Sequence, residues 1–295
     1  MRLGALEAGG TKMVFGFGDE RGTILDRVEC PTTTPEETMP KIIQYFREHQ
    51  VDALGIGSFG PVELDPKSPN YGSITSTPKQ GWRNYPIYQE LKQALQIPVG
   101  FDTDVNAAAW GEFVWGAAKG LSSCVYTTVG TGIGSGVVAE GRLVHGMLHP
   151  ETGHMIVRRH PEDAFGGSCP YHQDCLEGLA SGPSIEQRWG AKGSELADDA
   201  KVWEIEAFYI AQAAANFIYM LSPEKIILGG GVMKQQQLFP LVRAEVKRLL
   251  NGYIQRDQVI EHLDSYIVPP SLGDNAGFCG ALLLAKEAVQ RHGKA

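Results

Sequence analysis

The chain has 295 residues, 43% hydrophobic and 20% charged, with a formal net charge of -8 and a pI near 5.5. Such a composition is ordinary for a globular protein and long enough for one large domain or two medium ones. An acidic balance gives no general pull toward nucleic acid or anionic membranes, no apolar run reaches the roughly 18 residues of a membrane span, and no leader pattern opens the chain, so a cytoplasmic setting is expected.

In chain order, residues 2–28 read as an apolar strand, a Gly9-Gly10-Thr11 turn and a strand over Met13 to Phe17. A polar hairpin at Asp19 to Gly22 and a third strand over Thr23 to Val28 follow. Pro35 to Gln50 carries Met39, Ile42, Ile43 and Phe46 at helical spacing. Ala53 to Ile56 is a short strand, and the proline-rich stretch from Pro61 to Pro86 reads as loop. A helix over Pro86 to Leu95, a strand over Pro98 to Phe101 and a helix over Asn106 to Ala118 come next.

Residues 123–145 repeat the opening pattern: strand Cys124 to Val129, turn Gly130 to Gly134, strand Ser135 to Ala139, hairpin Glu140 to Arg142, and a strand at Leu143-Val144. Trp203 to Leu221 reads as a long buried helix, Ile226 to Leu228 as a strand running into Gly229-Gly230-Gly231, and Ala276 to Arg291 as a terminal helix. Alternating strands and helices predict an α/β class. The repeat predicts two similar domains, 1–119 and 120–295, with the terminal helix a candidate to pack back on the first.

Both Gly9-Gly10-Thr11 and Gly130-Thr131-Gly132 stand at strand ends. Glycine lets backbone N–H groups approach an anion closely, and threonine adds a hydroxyl donor, so a facing pair would grip the β- and γ-phosphates of a nucleotide. Either one alone is equally a plain tight turn. The glycines at 130, 132, 134 and 136 do not form G-x-G-x-x-G, and no G-x-x-x-x-G-K-S/T is present, which argues against Rossmann and P-loop readings. Gly229-Gly230-Gly231 is a candidate cover for a base or ribose, or a strand-to-helix turn.

Between the hairpins, Asp104 follows a strand and precedes an Ala-rich helix. It reads as a helix cap or as a carboxylate able to take a proton from a hydroxyl attacking a γ-phosphate. Downstream, Cys169, His172 and Cys175 form C-x-x-H-x-x-C, with an upstream histidine needed to complete four N/S ligands. His154, His145, His149 and His160 all compete for that place. Four such ligands describe a structural zinc site with no open position. The remaining cysteines, Cys30, Cys124 and Cys279, read as buried small hydrophobes, and five cysteines in all suggest no disulfide scaffold.

These separated motifs resemble the ROK family (repressors, open reading frames and sugar kinases) over nearly the whole chain. The Glu7-Ala8-Gly9-Gly10-Thr11-Lys12 opening and the C-x-x-H-x-x-C clip look most like its bacterial fructokinase branch. The resemblance implies an actin-like ATPase (hexokinase-type, ribonuclease H-like) fold, with two similar domains around a cleft closing over sugar and MgATP. It implies Asp104 as general base and Thr103, Asp104, Glu151, His154 and Glu177 at the sugar. It assigns the Gly9, Gly10, Thr11, Lys12 segment and Gly130, Thr131, Gly132, Gly134 to the phosphates, and places Gly229–Gly231 and Gly273–Gly277 near the nucleotide. It selects His154 to join Cys169, His172 and Cys175 on zinc, and it implies a homodimer.

The expected reaction is ATP-dependent phosphorylation of a free hexose, D-fructose to fructose 6-phosphate. A kinase for glucose, mannose or an N-acetylated amino sugar is the alternative, and a non-catalytic sugar-binding protein a further one. Family repressors place a helix-turn-helix before the sugar-binding part, and the first hairpin begins too near Met1 to leave room for one. Three departures stand out: Thr103 where many hexose-directed members carry Asn, Glu7 where Asp is usual, and His172 in place of a zinc-loop cysteine.

Overall fold

The computed structural model describes residues 1–293 and contains two five-stranded sheets of matching design. The elements are β1 (Leu3–Ala8), β2 (Lys12–Gly18), β3 (Ile24–Pro31), α1 (Pro35–His49), β4 (Ala53–Ser58), α2 (Ile87–Leu95), β5 (Val99–Thr103) and α3 (Asp104–Val114). They continue as β6 (Cys124–Val129), β7 (Ile133–Ala139), β8 (Arg142–Leu143), α4 (Leu176–Ala180), α5 (Gly182–Trp189), α6 (Ala200–Leu221) and β9 (Ile226–Gly229). The last are α7 (Leu238–Leu250), α8 (Asp257–Ile260), α9 (Leu263–Tyr266), β10 (Ile267–Val268) and α10 (Ala276–His292).

The first sheet has order β3-β2-β1-β4-β5 and the second β10-β9-β6-β7-β8. In each, a hairpin pair is antiparallel (β1 with β2, β6 with β7) and the inner strand pairs parallel with a later one (β1 with β4, β6 with β9). The repeat read from the sequence is therefore a repeat of topology.

The chain divides into two compact units. The first is Met1–Lys119 with Leu143–His149 and the segment from Asp274 onward; the second is Gly120–Arg142 with Pro150–Gly273. The division is thus not a single cut near residue 119. Alpha-helix α10 joins the first unit because Phe278, Ala281, Leu282 and Ala285 form one core with Leu3, Ala5, Val14 and Ala53.

Period-two alternation in β1 sets this up: Leu3 and Ala5 face α10, while Leu6 and Ala8 face the core built by Met39, Ile42 and Phe46 of α1. With both faces covered, β1 and β4 read as near-continuous apolar runs. Each fully buried Leu, Ile or Phe contributes about 1.5–3 kcal/mol. Glycine lets α10 lie this close: a Cβ on Gly55 would sit 1.8 Å from the Ala281 carbonyl oxygen, and one on Gly280 would sit 1.6 Å from that of Ala107.

Several boundaries differ from the sequence reading. Helix α3 starts at Asp104, not Asn106, because the Thr103 hydroxyl caps it by accepting from Asn106 N at 3.0 Å. It ends at Val114, where the buried Glu112 carboxylate takes the Ala117 N–H at 2.6 Å. The 130–134 turn is shorter, since β7 begins at Ile133. Helices α4, α5 and α7 lie where the sequence predicted no element. Cys124 and Cys279 are buried as expected, whereas Cys30, on edge strand β3, is only half-buried.

Candidate active site and metal clip

In the first unit the turn from β5 into α3 gathers the candidate carboxylates Asp102 and Asp104. Asp102 is 4% exposed and its carboxylate is fully engaged. Its Oδ1 accepts from Thr103 N at 2.7 Å and Asn106 Nδ2 at 2.6 Å, and its Oδ2 lies 2.8 Å from His145 Nε2. The hydrogen bond to Asp102 raises the His145 pKa, opposed in part by burial. Asp104 is the first residue of α3, where the helix N-terminus favours negative charge, and its Oδ1 accepts from Val105 N at 2.8 Å. Thr103, read from the resemblance as a sugar contact, is 2% exposed and serves as the helix cap.

The first hairpin is tight. Gly9 N donates to Lys12 O at 3.1 Å, and a Cβ on Gly9 would meet that oxygen at 2.6 Å. Gly10 and Thr11 are exposed, and a Cβ on Gly10 would meet nothing within 4 Å. Lys12 Nζ lies 2.6 Å from Glu29 Oε2 with both side chains about half exposed, a surface pair worth about 0–1 kcal/mol. Glu7, one strand position from Ala8, faces Gly277 at the start of α10, where a Cβ would meet its carboxyl at 2.7 Å. Its Oε2 is buried without a hydrogen-bond partner among the described residues. Burial raises its pKa, against the pull of Arg27 and Lys12.

In the second unit Gly130 N donates to Gly132 O at 2.9 Å, which turns the chain, and Thr131 is the exposed tip. The hairpin is gripped from outside. Ile133 N donates to Glu177 Oε2 at 2.9 Å, and Gly182 N to Gly130 O at 2.7 Å. Gly134 is held in the β6–β7 ladder opposite Thr128. Gly230 takes a left-handed φ of 92°, and a Cβ there would lie 2.4 Å from Val129 O, so the glycine run packs against the end of β6. Glu151 keeps access to solvent, yet the protein around it withdraws enough water to push its carboxyl up to about 7, helped by the charge of Glu177.

His154, Cys169, His172 and Cys175 come together, with one ligand atom from each within 4.8 Å of the others. The Cys169 sulfur is 3.9 Å from His154 Nδ1 and 3.8 Å from His172 Nδ1, and the Cys175 sulfur is 3.6 Å from His154 Nδ1. Tetrahedral zinc with Zn–S near 2.3 Å and Zn–N near 2.05 Å requires S···N separations of about 3.6 Å. These three separations lie close to that distance, so the donor set suits a four-ligand N/S metal site. The rival histidines are elsewhere: His145 on Asp102, His149 accepting from Val62 N at 3.1 Å, and His160 accepting from Glu162 N at 3.2 Å.

Sequence reasoning missed two features here. Asp102 carries no assignment from the sequence, and its partner His145 enters there only as a rival zinc ligand. Glu177 was assigned only to a sugar, and its bond to the hairpin has no local signal.

The family model described as ROK family matches residues 3–288. The chain belongs to the ROK family. This ROK chain is 57% identical to a protein of Bacillus subtilis (strain 168), over 98% of its own length and 96% of that protein's. It is 49% identical to the fructokinase of Pediococcus pentosaceus, over 98% of its own length and 99% of the relative's. Among solved structures it is similar to a ROK family glucokinase from Streptomyces griseus in complex with glucose and AMPPNP, with TM-score 0.77, 25% identity, and coverage of 97% and 100%. The fold is the actin-like, hexokinase-type arrangement that the ROK motifs imply. Among the described residues no helix is long and apolar enough to cross a membrane.

Proposed function

We propose that this ROK chain is an ATP-dependent hexose kinase whose preferred reaction converts D-fructose to fructose 6-phosphate. The observation that carries the reading is full-length identity at 49% to a protein named fructokinase, in a chain that places Asp104 at the start of α3. The AMPPNP in the Streptomyces griseus structure supports ATP as the phosphoryl donor.

Asp104 accepts the proton of the attacking sugar hydroxyl as that oxygen bonds to the γ-phosphorus. The bond from that phosphorus to the β–γ bridging oxygen breaks, and ADP leaves. The Asp102–His145–Asn106 bonds hold the turn that carries this base. Gly9 to Lys12 and Gly130 to Gly132 supply backbone N–H groups, and Lys12 a charge, for the phosphates. Gly134 supports the second hairpin from within its ladder, and Gly229–Gly231 lie on the nucleotide side. Glu151, His154 and Glu177 hold sugar hydroxyls.

Mg²⁺ entering with the nucleotide would neutralise phosphate charge, with Glu7 the candidate carboxylate beside it. His154, Cys169, His172 and Cys175 would hold a structural zinc, whose role would be to fix the loops on the sugar side. A homodimer follows the resemblance and is checked by light scattering. Its cellular setting is cytoplasmic on the same reading.

The test is ADP release by zinc-loaded protein with MgATP against fructose, mannose, glucose and N-acetylated amino sugars. Preference for fructose supports the reading. Preference for glucose, the sugar in the Streptomyces griseus structure, retains the mechanism and overturns the substrate. Silence across the panel overturns both.

A further inference from the structure

Two of the four metal-ligand residues stand beside the residues that grip the β6–β7 hairpin. Cys175 caps α4, and Glu177, two residues on, accepts from Ile133 N at 2.9 Å. His154 follows Thr152 and Gly153. The Thr152 hydroxyl donates to Ser135 Oγ at 2.7 Å, and Gly153 packs so closely on the hairpin that a Cβ would lie 1.9 Å from Ile133 O. The segment after α4 adds a second hold, Gly182 N to Gly130 O at 2.7 Å. Both shoulders of the turn, Gly130 and Ile133, are thus fixed by α4 and the start of α5.

Helix α4 has only five residues. A helix that short has no stability of its own and stays where it is tethered. The 152–156 and 175–177 segments are joined by the Leu176 N to Met155 O bond at 3.0 Å, by one β-bridge from Ile156 to Cys175, and by the His154–Cys175 contact of the clip. Gly132 leaves no slack, since a Cβ there would lie 2.8 Å from Glu177 Oε2.

We propose that the metal clip is coupled to the phosphate hairpin through Glu177, which acts as a positioning residue, so that metal loss weakens nucleotide binding with no sugar present. This rests on reading Gly130 to Gly132 as a phosphate cradle. Ile133 N donates this bond to Glu177, and losing its hold on the turn is expected to change nucleotide affinity roughly tenfold.

The experiment is calorimetric titration of sugar-free protein with ADP and Mg²⁺, comparing zinc-loaded protein with protein stripped of zinc and then freed of chelator. Metal content and circular dichroism are measured on each. Stripping should raise the Kd for ADP about tenfold. Zinc-loaded Glu177→Ala should show about the same loss while keeping one zinc per chain, and stripping it should add less than about twofold. Glu177→Gln, which keeps a carbonyl acceptor for Ile133 N, should restore both the affinity and its metal dependence.

Equal ADP affinity in folded stripped and loaded protein overturns the coupling, and so do independent, multiplying effects of stripping and Glu177→Ala. If stripping unfolds the protein, the loaded variants decide: wild-type ADP affinity in Glu177→Ala overturns the proposal. Failure of loaded wild-type protein to bind ADP at all sinks the kinase reading, and this proposal with it.

Discussion

Gly153→Ala is the sharpest perturbation of the candidate site. The added Cβ would lie 1.9 Å from the Ile133 carbonyl oxygen and 2.9 Å from its carbon. An ordinary C···O contact is about 3.3 Å or longer, so the segment and the hairpin must separate by about 1.4 Å. The Cβ is fixed to its own backbone and the atoms it meets are backbone, so no side chain can rotate away. The displacement would move Glu151 and His154 relative to the Gly130 to Gly132 turn. Misplacement by about 1 Å costs on the order of 100-fold in rate, or about 2.7 kcal/mol in barrier.

Overpacking of this kind also costs about 1–3 kcal/mol of stability, roughly 2–5 °C in Tm for a chain of this size. The assay is ADP release with fructose and MgATP at 25 °C, well below the melt, paired with thermal unfolding. Gly166→Ala is the control, because a Cβ there meets nothing within 4 Å; its effect should stay within about 0.5 kcal/mol. Gly153→Ala with kcat/KM within threefold of wild type and unchanged Tm would refute the claim that this close approach sets the site.

Asp104→Asn should lower kcat by roughly 100- to 10,000-fold while leaving the ADP Kd within about threefold, and near-normal turnover would remove the base from that position. Glu151, with its carboxyl pushed up to about 7, keeps a proton in the folded state that the unfolded chain has lost. Its contribution to stability is therefore full below the ordinary carboxylate value and lost as pH rises through about 7. Glu151→Gln should then raise Tm at pH 8 and change it little at pH 4.5; an equal change at both would contradict this. The raised His145 works in the same sense, with its contribution complete below about pH 6.5 and lost as pH climbs through the folded value. The Tm deficit of His145→Gln should shrink from pH 5.5 to pH 9, and a constant deficit would show that the pair is not charged.

What was legible in the sequence was local. The two strand–glycine–strand hairpins announce themselves because β periodicity and turn chemistry depend on a few neighbouring residues. The C-x-x-H-x-x-C spacing and the Thr103-Asp104 step into α3 are local in the same way. Tertiary structure decided what joins distant positions. Asp102 meets His145 43 residues away, and Ile133 meets Glu177 44 residues away. Neither pair has a periodic signature, because each depends on where packed elements bring two side chains.

Helix α10 carries the same lesson: its sequence predicts a helix, but only the glycine-lined approach at Gly55, Gly111 and Gly280 assigns it to the first unit. The five-residue α4 and two-residue β10 are too short to carry a period and form only because neighbours hold them. Residue type and spacing determine which groups are available. Backbone register and close packing, summed over the whole chain, determine which of them meet.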